Sequence, residues 1–209
     1  ETPFDYDGAY YRVRQGFGCV KPRQPGGIPV FFGGASDAAI EVAGQHADTY
    51  ALYGESLDQV AELIARVRAA AAPFGRSPAF SVSIRAVLAD TEARAWAKAD
   101  DILARATALR TAGGDGKSPH NIRQKRKTGE IPPNEGSRRL LAAAAKGTRL
   151  DTCLWTGIAQ LTAAQGNTTA LVGTPDQVAE ALAAYHELGV TRFLTVSYTH
   201  LRAHETGRN

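Results

Sequence analysis

Ser36 closes the run Ile28-Pro-Val-Phe-Phe-Gly-Gly-Ala-Ser36 and stands just before an apolar-periodic stretch, Asp37-Ala-Ala-Ile-Glu-Val-Ala43. The spacing predicts a buried strand over 28–32, a double-glycine bend, and a helix over about 36–46 with Ala38, Ala39, Val42 and Ala43 on its inner face. Glycines let backbone approach a ligand closely. A helix start offers unpaired N–H groups, the positive end of the helix dipole and, at Ser36, a hydroxyl donor. That combination suits a phosphate, although an ordinary strand-to-helix turn with Ser36 as N-cap has the same pattern. Arg85 lies in a second informative run, Ser81-Val-Ser-Ile-Arg-Ala-Val87, where strand alternation puts it on the same face as Ser83. Such a cation suits an anion or a structural ion pair.

Elements that could position these groups are readable along the chain. Residues 1–27 read as a hairpin and extended arm, with a Pro/Gly cluster before residue 28. Strands are expected at 49–53, 80–88 and 190–196. Helices are expected from Ser56, as N-cap, to about 74, from Asp90 or Thr91 to about 109, from Asn134 or Glu135 to Lys146, and from Pro175 to Leu188. The apolar stretch 154–161 fits either state. Four alternations of apolar strand and helix indicate an α/β protein with a parallel sheet. Residues 111–133, poor in apolar side chains, predict a mobile loop.

Composition narrows the class. The chain has 209 residues, 44% apolar and 22% charged, which is ordinary for a globular domain with a sizeable core. No apolar run is long enough for a membrane helix, so no membrane partner is expected. Cys19 and Cys153 have neither metal nor disulfide spacing and read as free thiols in a cytoplasmic setting. The net charge of +3 traces to Lys117, Arg123, Lys125, Arg126 and Lys127. No aromatic residues interleave them, so a nucleic-acid partner is not expected. His46, His120 and His186 are isolated, and Trp96 and Trp155 read as core. The chain contains no Met and starts at Glu1, so it reads as a piece of a longer protein.

Ile28–Ser36 followed by Ala47-Asp-Thr-Tyr-Ala-Leu-Tyr-Gly-Glu55 resembles the bacterial luciferase-like flavin monooxygenases, and within them the reduced-FMN-dependent alkanesulfonate monooxygenases. Tyr11–Arg14, Asp90-Thr91 with Ala95-Trp96, Pro133–Ser137, Leu154–Gly157 and Thr169–Ala179 match in the same order, so the resemblance covers roughly residues 4–195. It implies that residues 28–196 are the second half, strands five to eight, of a (β/α)8 TIM barrel. Chemistry in such barrels sits at the C-terminal ends of the strands. Those ends are Gly33–Ser36, Tyr53–Glu55, Leu88–Asp90 and whatever follows Thr195. Gly33, Gly34, Ala35 and Ser36 inherit the FMN-phosphate role.

The same resemblance makes Arg85 a candidate catalytic residue that holds an anionic group or the oxygenated flavin. The related branch carries Arg and His where this chain has Ser83 and Arg85, and a further Arg near Gln165 is missing, which weakens alkanesulfonate specificity. Tyr198 and His200 fall on a Tyr-x-His-Leu motif with catalytic roles. However, the whole run 197–209 resembles translated sequencing-adapter read-through, which implies a non-native tail. His200, His204 and Glu205 resemble a metal site by composition only, and no metal is expected. Loop 111–133 corresponds to a lid over flavin and substrate, where Lys125, Arg126 and Lys127 could meet phosphate or sulfonate; a solvated insertion is the plainer reading.

As a whole, the resemblance implies a two-component, homo-oligomeric monooxygenase. It takes reduced FMN from a partner flavin reductase and uses O2 to oxygenate a small organic substrate, releasing aldehyde and sulfite if that substrate is an alkanesulfonate. The alternatives are an F420-dependent oxidoreductase of the same superfamily and a non-catalytic basic binding domain. Half a barrel lacks half its site, so this chain alone is expected to be inactive.

Overall fold

The computed structural model describes residues 2–111, 129, 131–166 and 168–196. Most of the expected loop and all of the tail, including Tyr198 and His200, lie outside the described residues. Strands β1 (Phe4–Asp7) and β2 (Arg12–Gly16) pair antiparallel as a hairpin. Next come β3 (Phe31–Phe32), α1 (Asp37–His46), β4 (Thr49–Tyr53), α2 (Leu57–Ala71), β5 (Ala79–Leu88) and α3 (Glu92–Thr111). They are followed by α4 (Glu135–Lys146), β6 (Arg149–Leu150), β7 (Leu154–Trp155), α5 (Gly157–Thr162), β8 (Ala170–Gly173), α6 (Pro175–Glu187) and β9 (Val190–Val196).

Strands β3, β4, β5 and β9 run parallel in that spatial order and curl into a half-barrel. Phe80–Ser83 of β5 pairs with β4 on one edge and with β9 on the other. Beyond the end of β4, β8 takes over the β4 edge, pairing parallel with Arg85–Leu88. The two-residue strands β6 and β7 extend β8 antiparallel. Everything from α3 to α6 is therefore an excursion between two barrel-like strands, and it returns over the C-terminal end of β4.

Alternation along the strands divides the two faces. Tyr50, Leu52, Phe80, Val82 and Ile84 point into a layer formed by Ile40 and Ala43 of α1, Val60, Leu63, Ile64 and Val67 of α2, and Val178 and Tyr185 of α6. Ala51, Tyr53, Ser81, Ser83 and Leu194 occupy the other, more exposed face. A second cluster joins Val87, Trp96, Trp155, Ala170 and Val172 beneath α3 and α5.

Several local expectations are corrected. The first strand is two residues long, and Ile28, Val30 and Phe31 are exposed rather than buried. Pro29 has no N–H to donate, and among the described residues β3 pairs with β4 alone. Val30 is nevertheless anchored, its N–H donating to the Asp48 carboxylate at 2.8 Å. The buried stripe of α1 is Ile40, Ala43 and Gly44, with Val42 exposed. In an alanine-rich helix the bulkiest residue on the sheet side, Ile40, sets the rotation. Ser56 holds the N-cap position of α2 as expected but makes no capping bond through its side chain. Asp151, from the β6–β7 turn, accepts from the Leu57 N–H at 3.0 Å and replaces it. Thr174 and Gln177 form a full capping box on α6.

Candidate functional site

The turn after β3 is shaped by Gly34, whose φ of +154° favours glycine. A Cβ there would lie 2.9 Å from the Ala39 methyl group. The Tyr50 hydroxyl donates to the Gly34 carbonyl, fixing the bend from the sheet side. Burial pushes the Tyr50 phenol up to about 12, so it is a protonated donor at neutral pH. Ser36 is the N-cap, with extended backbone, and its Oγ accepts from the Ala39 N–H at 3.3 Å. That bond uses a lone pair and leaves the hydroxyl proton available for another acceptor. The first intrahelical bond closes at the Ile40 N–H, so the amides of Asp37 and Ala38 precede it. Asp37 would oppose an anion here, but its side chain is almost wholly exposed and Arg66 holds it at 2.6 Å.

This turn forms one wall of a cavity of about 540 Å³. The C-terminal end of β4, with Tyr53 and Glu55, continues that wall, and Ser83 reaches the cavity from β5. Across from them stands the first turn of α4, Asn134, Glu135 and Gly136. Asn134 caps that helix by accepting from the Ser137 N–H at 2.8 Å. Gly136 lets the helix press against the Tyr53 ring, which a Cβ would approach to 2.8 Å. Two helix N-termini thus face one concave space.

Glu55 is 2% exposed and lines this wall. Burial raises its carboxyl above the ordinary range, and a hydrogen bond from Arg139 opposes that shift. Arg139 of α4 donates to Glu55 through Nε at 2.9 Å, to Glu62 through Nη1 at 2.7 Å and to the Gln59 carbonyl through Nη2 at 2.9 Å. Gln59 returns a bond to the Arg139 carbonyl at 3.0 Å. The Tyr185 hydroxyl donates to the Glu55 carbonyl.

The sequence-predicted residues separate cleanly. Gly33, Gly34, Ala35 and Ser36 share the cavity with Tyr53 and Glu55. Arg85 does not line it; it borders a separate, small cavity with Trp155, Thr168 and Thr169, where the excursion covers the end of β5. Leu88–Asp90 is also away from the main cavity, and Asp90 pairs with Arg94 at 2.5 Å. Tyr198, His200 and the basic residues Lys117–Lys127 lie outside the described residues. Cys19 and Cys153 are free, and burial raises the Cys153 thiol, which disfavours a reactive thiolate. Among the described residues no group of acidic, His or Cys side chains could hold a metal, and no helix is long and apolar enough to cross a membrane.

Sequence reasoning missed Tyr50, Arg139 and the α4 turn as parts of the site. A Glu directly after Tyr53-Gly54, at a strand end, was a usable signal, since such a carboxylate needs a partner when buried.

The cavity volume lies within the range of small-molecule and cofactor sites, roughly 300–1,000 Å³. Its glycine turn, hydroxyl and helix start fit an anionic group. The family model for luciferase-like monooxygenases matches residues 1–192. The chain belongs to the luciferase-like monooxygenase family. Among solved structures, this luciferase-like chain is similar to a riboflavin lyase solved with modified FMN and riboflavin, at 22% identity and a TM-score of 0.61. That match covers 93% of this chain and 44% of the other. It is similar to DmoA from Hyphomicrobium sulfonivorans at 21% identity and a TM-score of 0.58, over 93% and 42% of the two chains. An F420-dependent secondary alcohol dehydrogenase matches at 15% identity and a TM-score of 0.53, over 93% and 50%. The chain therefore spans half or less of the length of these structures. Their shared fold is an α/β half-barrel in the region matched here.

Proposed function

We propose that this chain is the second half, strands five to eight, of a (β/α)8 flavin-dependent monooxygenase, with β3, β4, β5 and β9 as those strands. On this reading residues 1–27 are an inserted hairpin and arm, and 197–209 a non-native tail. The observation that carries it is the placement of Gly33, Gly34, Ala35 and Ser36, at a helix N-terminus, on the wall of the cofactor-sized cavity. These residues hold the phosphate of FMN through the Asp37 and Ala38 amides and the Ser36 hydroxyl. Tyr53 and the α4 turn shield the remainder of the cofactor from water.

Bound reduced flavin supplies O2 activation and transfer of one oxygen atom to a small organic substrate. In our reading that substrate is an alkanesulfonate, the flavin comes from a separate reductase, and the complete enzyme is a cytoplasmic homo-oligomer. Arg85 keeps an anion-holding role only from the separate small cavity it borders, not from the flavin cavity, and Tyr198 and His200 are assigned catalytic roles if the tail is native. A second reading, use of F420, is supported by the likeness to an F420-dependent secondary alcohol dehydrogenase, while Ser83, at the cavity where the alkanesulfonate branch carries an Arg, weakens the sulfonate assignment. To separate the two, the complete protein is supplied with reduced FMN or reduced F420 and O2 uptake is followed. Uptake with FMN alone is expected; turnover with F420 and no O2 consumption would overturn the monooxygenase reading.

A further inference from the structure

Helix α4 belongs to the excursion, yet its first turn builds half of the cavity, so something must hold it at a fixed distance from the strand ends. Hydrophobic contact does part of this: Leu140 and Ala144 pack on Ala159 and Ala164, but these partners are themselves within the excursion. The links from α4 to the β4–α2 corner are polar or aromatic. Gly136 lies against Tyr53. Arg139 spans 84 residues to reach Glu55 and 77 to reach Glu62. Its side chain is only 11% exposed, and that of Glu55 is 2% exposed.

We propose that Glu55 and Arg139 are a positioning pair, which sets the separation between the Gly33–Ser36 turn and the α4 turn and thereby the fit of the part of the flavin distant from its phosphate. The inference rests on the flavin reading of the cavity. Its physical basis is directional. A guanidinium with three acceptors, Glu55, Glu62 and the Gln59 carbonyl, fixes both position and orientation of the helix that carries it. The backbone of Arg139 is bonded in return by Gln59, so side chain and main chain are held at one point. The Glu55 main chain is fixed too, by Tyr185. The charge pair is thus anchored at both ends, and α4 has little freedom to slide.

The test compares the wild-type chain with Arg139→Met and with the double variant Glu55→Leu/Arg139→Met. The single variant leaves a buried carboxylate without its guanidinium and could simply unfold; the double variant removes both charges, an exchange that is often neutral or stabilising. Hydrogen exchange without ligand is read at α4 and at the α2 core, and affinity is measured for FMN and for riboflavin, which has no phosphate.

In the double variant, α4 protection is expected to fall while α2 protection stays. Both flavins are expected to bind about tenfold more weakly, with the FMN-to-riboflavin ratio unchanged. Unchanged α4 protection, unchanged affinity for both flavins, or a loss confined to FMN would each overturn the proposal. A parallel Ser36→Asp sample separates this from the underlying reading. If that variant leaves FMN affinity intact, the phosphate assignment fails, whereas the ligand-free exchange of α4 still judges the pair by itself.

Discussion

Replacing Ser36 by Asp is expected to weaken FMN binding by about a hundredfold or more, equivalent to roughly 2.7 kcal/mol. The variant is informative because Asp is as good an N-cap as Ser. Its carboxylate can accept from the Ala39 N–H as Ser36 Oγ does, so α1 keeps its start. What changes is the group offered to the ligand: a hydroxyl donor becomes a negative charge with no proton to give. That charge would face a phosphate dianion across the same turn. Ser36→Ala separates the two effects. It removes the cap, at a cost of about 1 kcal/mol of stability, but adds no repulsion, so its affinity loss is expected to be much smaller. Fluorescence titration of FMN, with thermal melts of each variant, measures both quantities. Equal affinity for Ser36→Asp and wild type would remove the turn from the site.

Phe80→Ala is expected to lower stability by about 3–5 kcal/mol. Phe80 is 2% exposed at the centre of the helix-facing layer. Its ring meets Tyr50 edge-on, with centroids 6.3 Å apart, and the Arg68 guanidinium lies 5.4 Å from its centroid. Truncation forfeits burial of the ring and leaves a void that β4, β5 and α2 cannot collapse to fill. Against a total of about 5–15 kcal/mol for an ordinary domain, that is a large share. The loss also reaches the site, because Tyr50 is the residue that holds the Gly34 carbonyl. Denaturant unfolding should show a lower midpoint with an unchanged slope. A change below about 1 kcal/mol would mean that the layer repacks freely.

The parts of this fold legible in the sequence are those encoded by local pattern. The apolar runs at 49–53, 80–88 and 190–196 became β4, β5 and β9, and Pro175 with Gly189 bounded α6 as the spacing predicted. The Gly33–Ser36 turn was legible because its chemistry is contiguous in the chain.

Other features depended on distant partners. β6, β7 and β8 are two to four residues long and owe their existence to pairing with each other and with β5. No periodicity can develop in so short a run. The rotation of α1 was misread since Ala38, Ala39 and Val42 offer one apolar face and Ile40, Ala43 and Gly44 the neighbouring one, and only packing chooses between them. The cap of α2 comes from Asp151, 94 residues away, which no local rule supplies. Arg139 reads as one more cation on an amphipathic helix until the fold brings it to Glu55.

The most direct measurement is an amide-resolved NMR titration of the chain with FMN. The largest shifts are expected on the N–H groups of Gly33, Gly34, Ala35, Ser36, Asp37 and Ala38, with smaller changes in the first turn of α4. If those six amides stay in place while FMN perturbs another region, the phosphate is held elsewhere and the Gly33–Ser36 turn is not the flavin site.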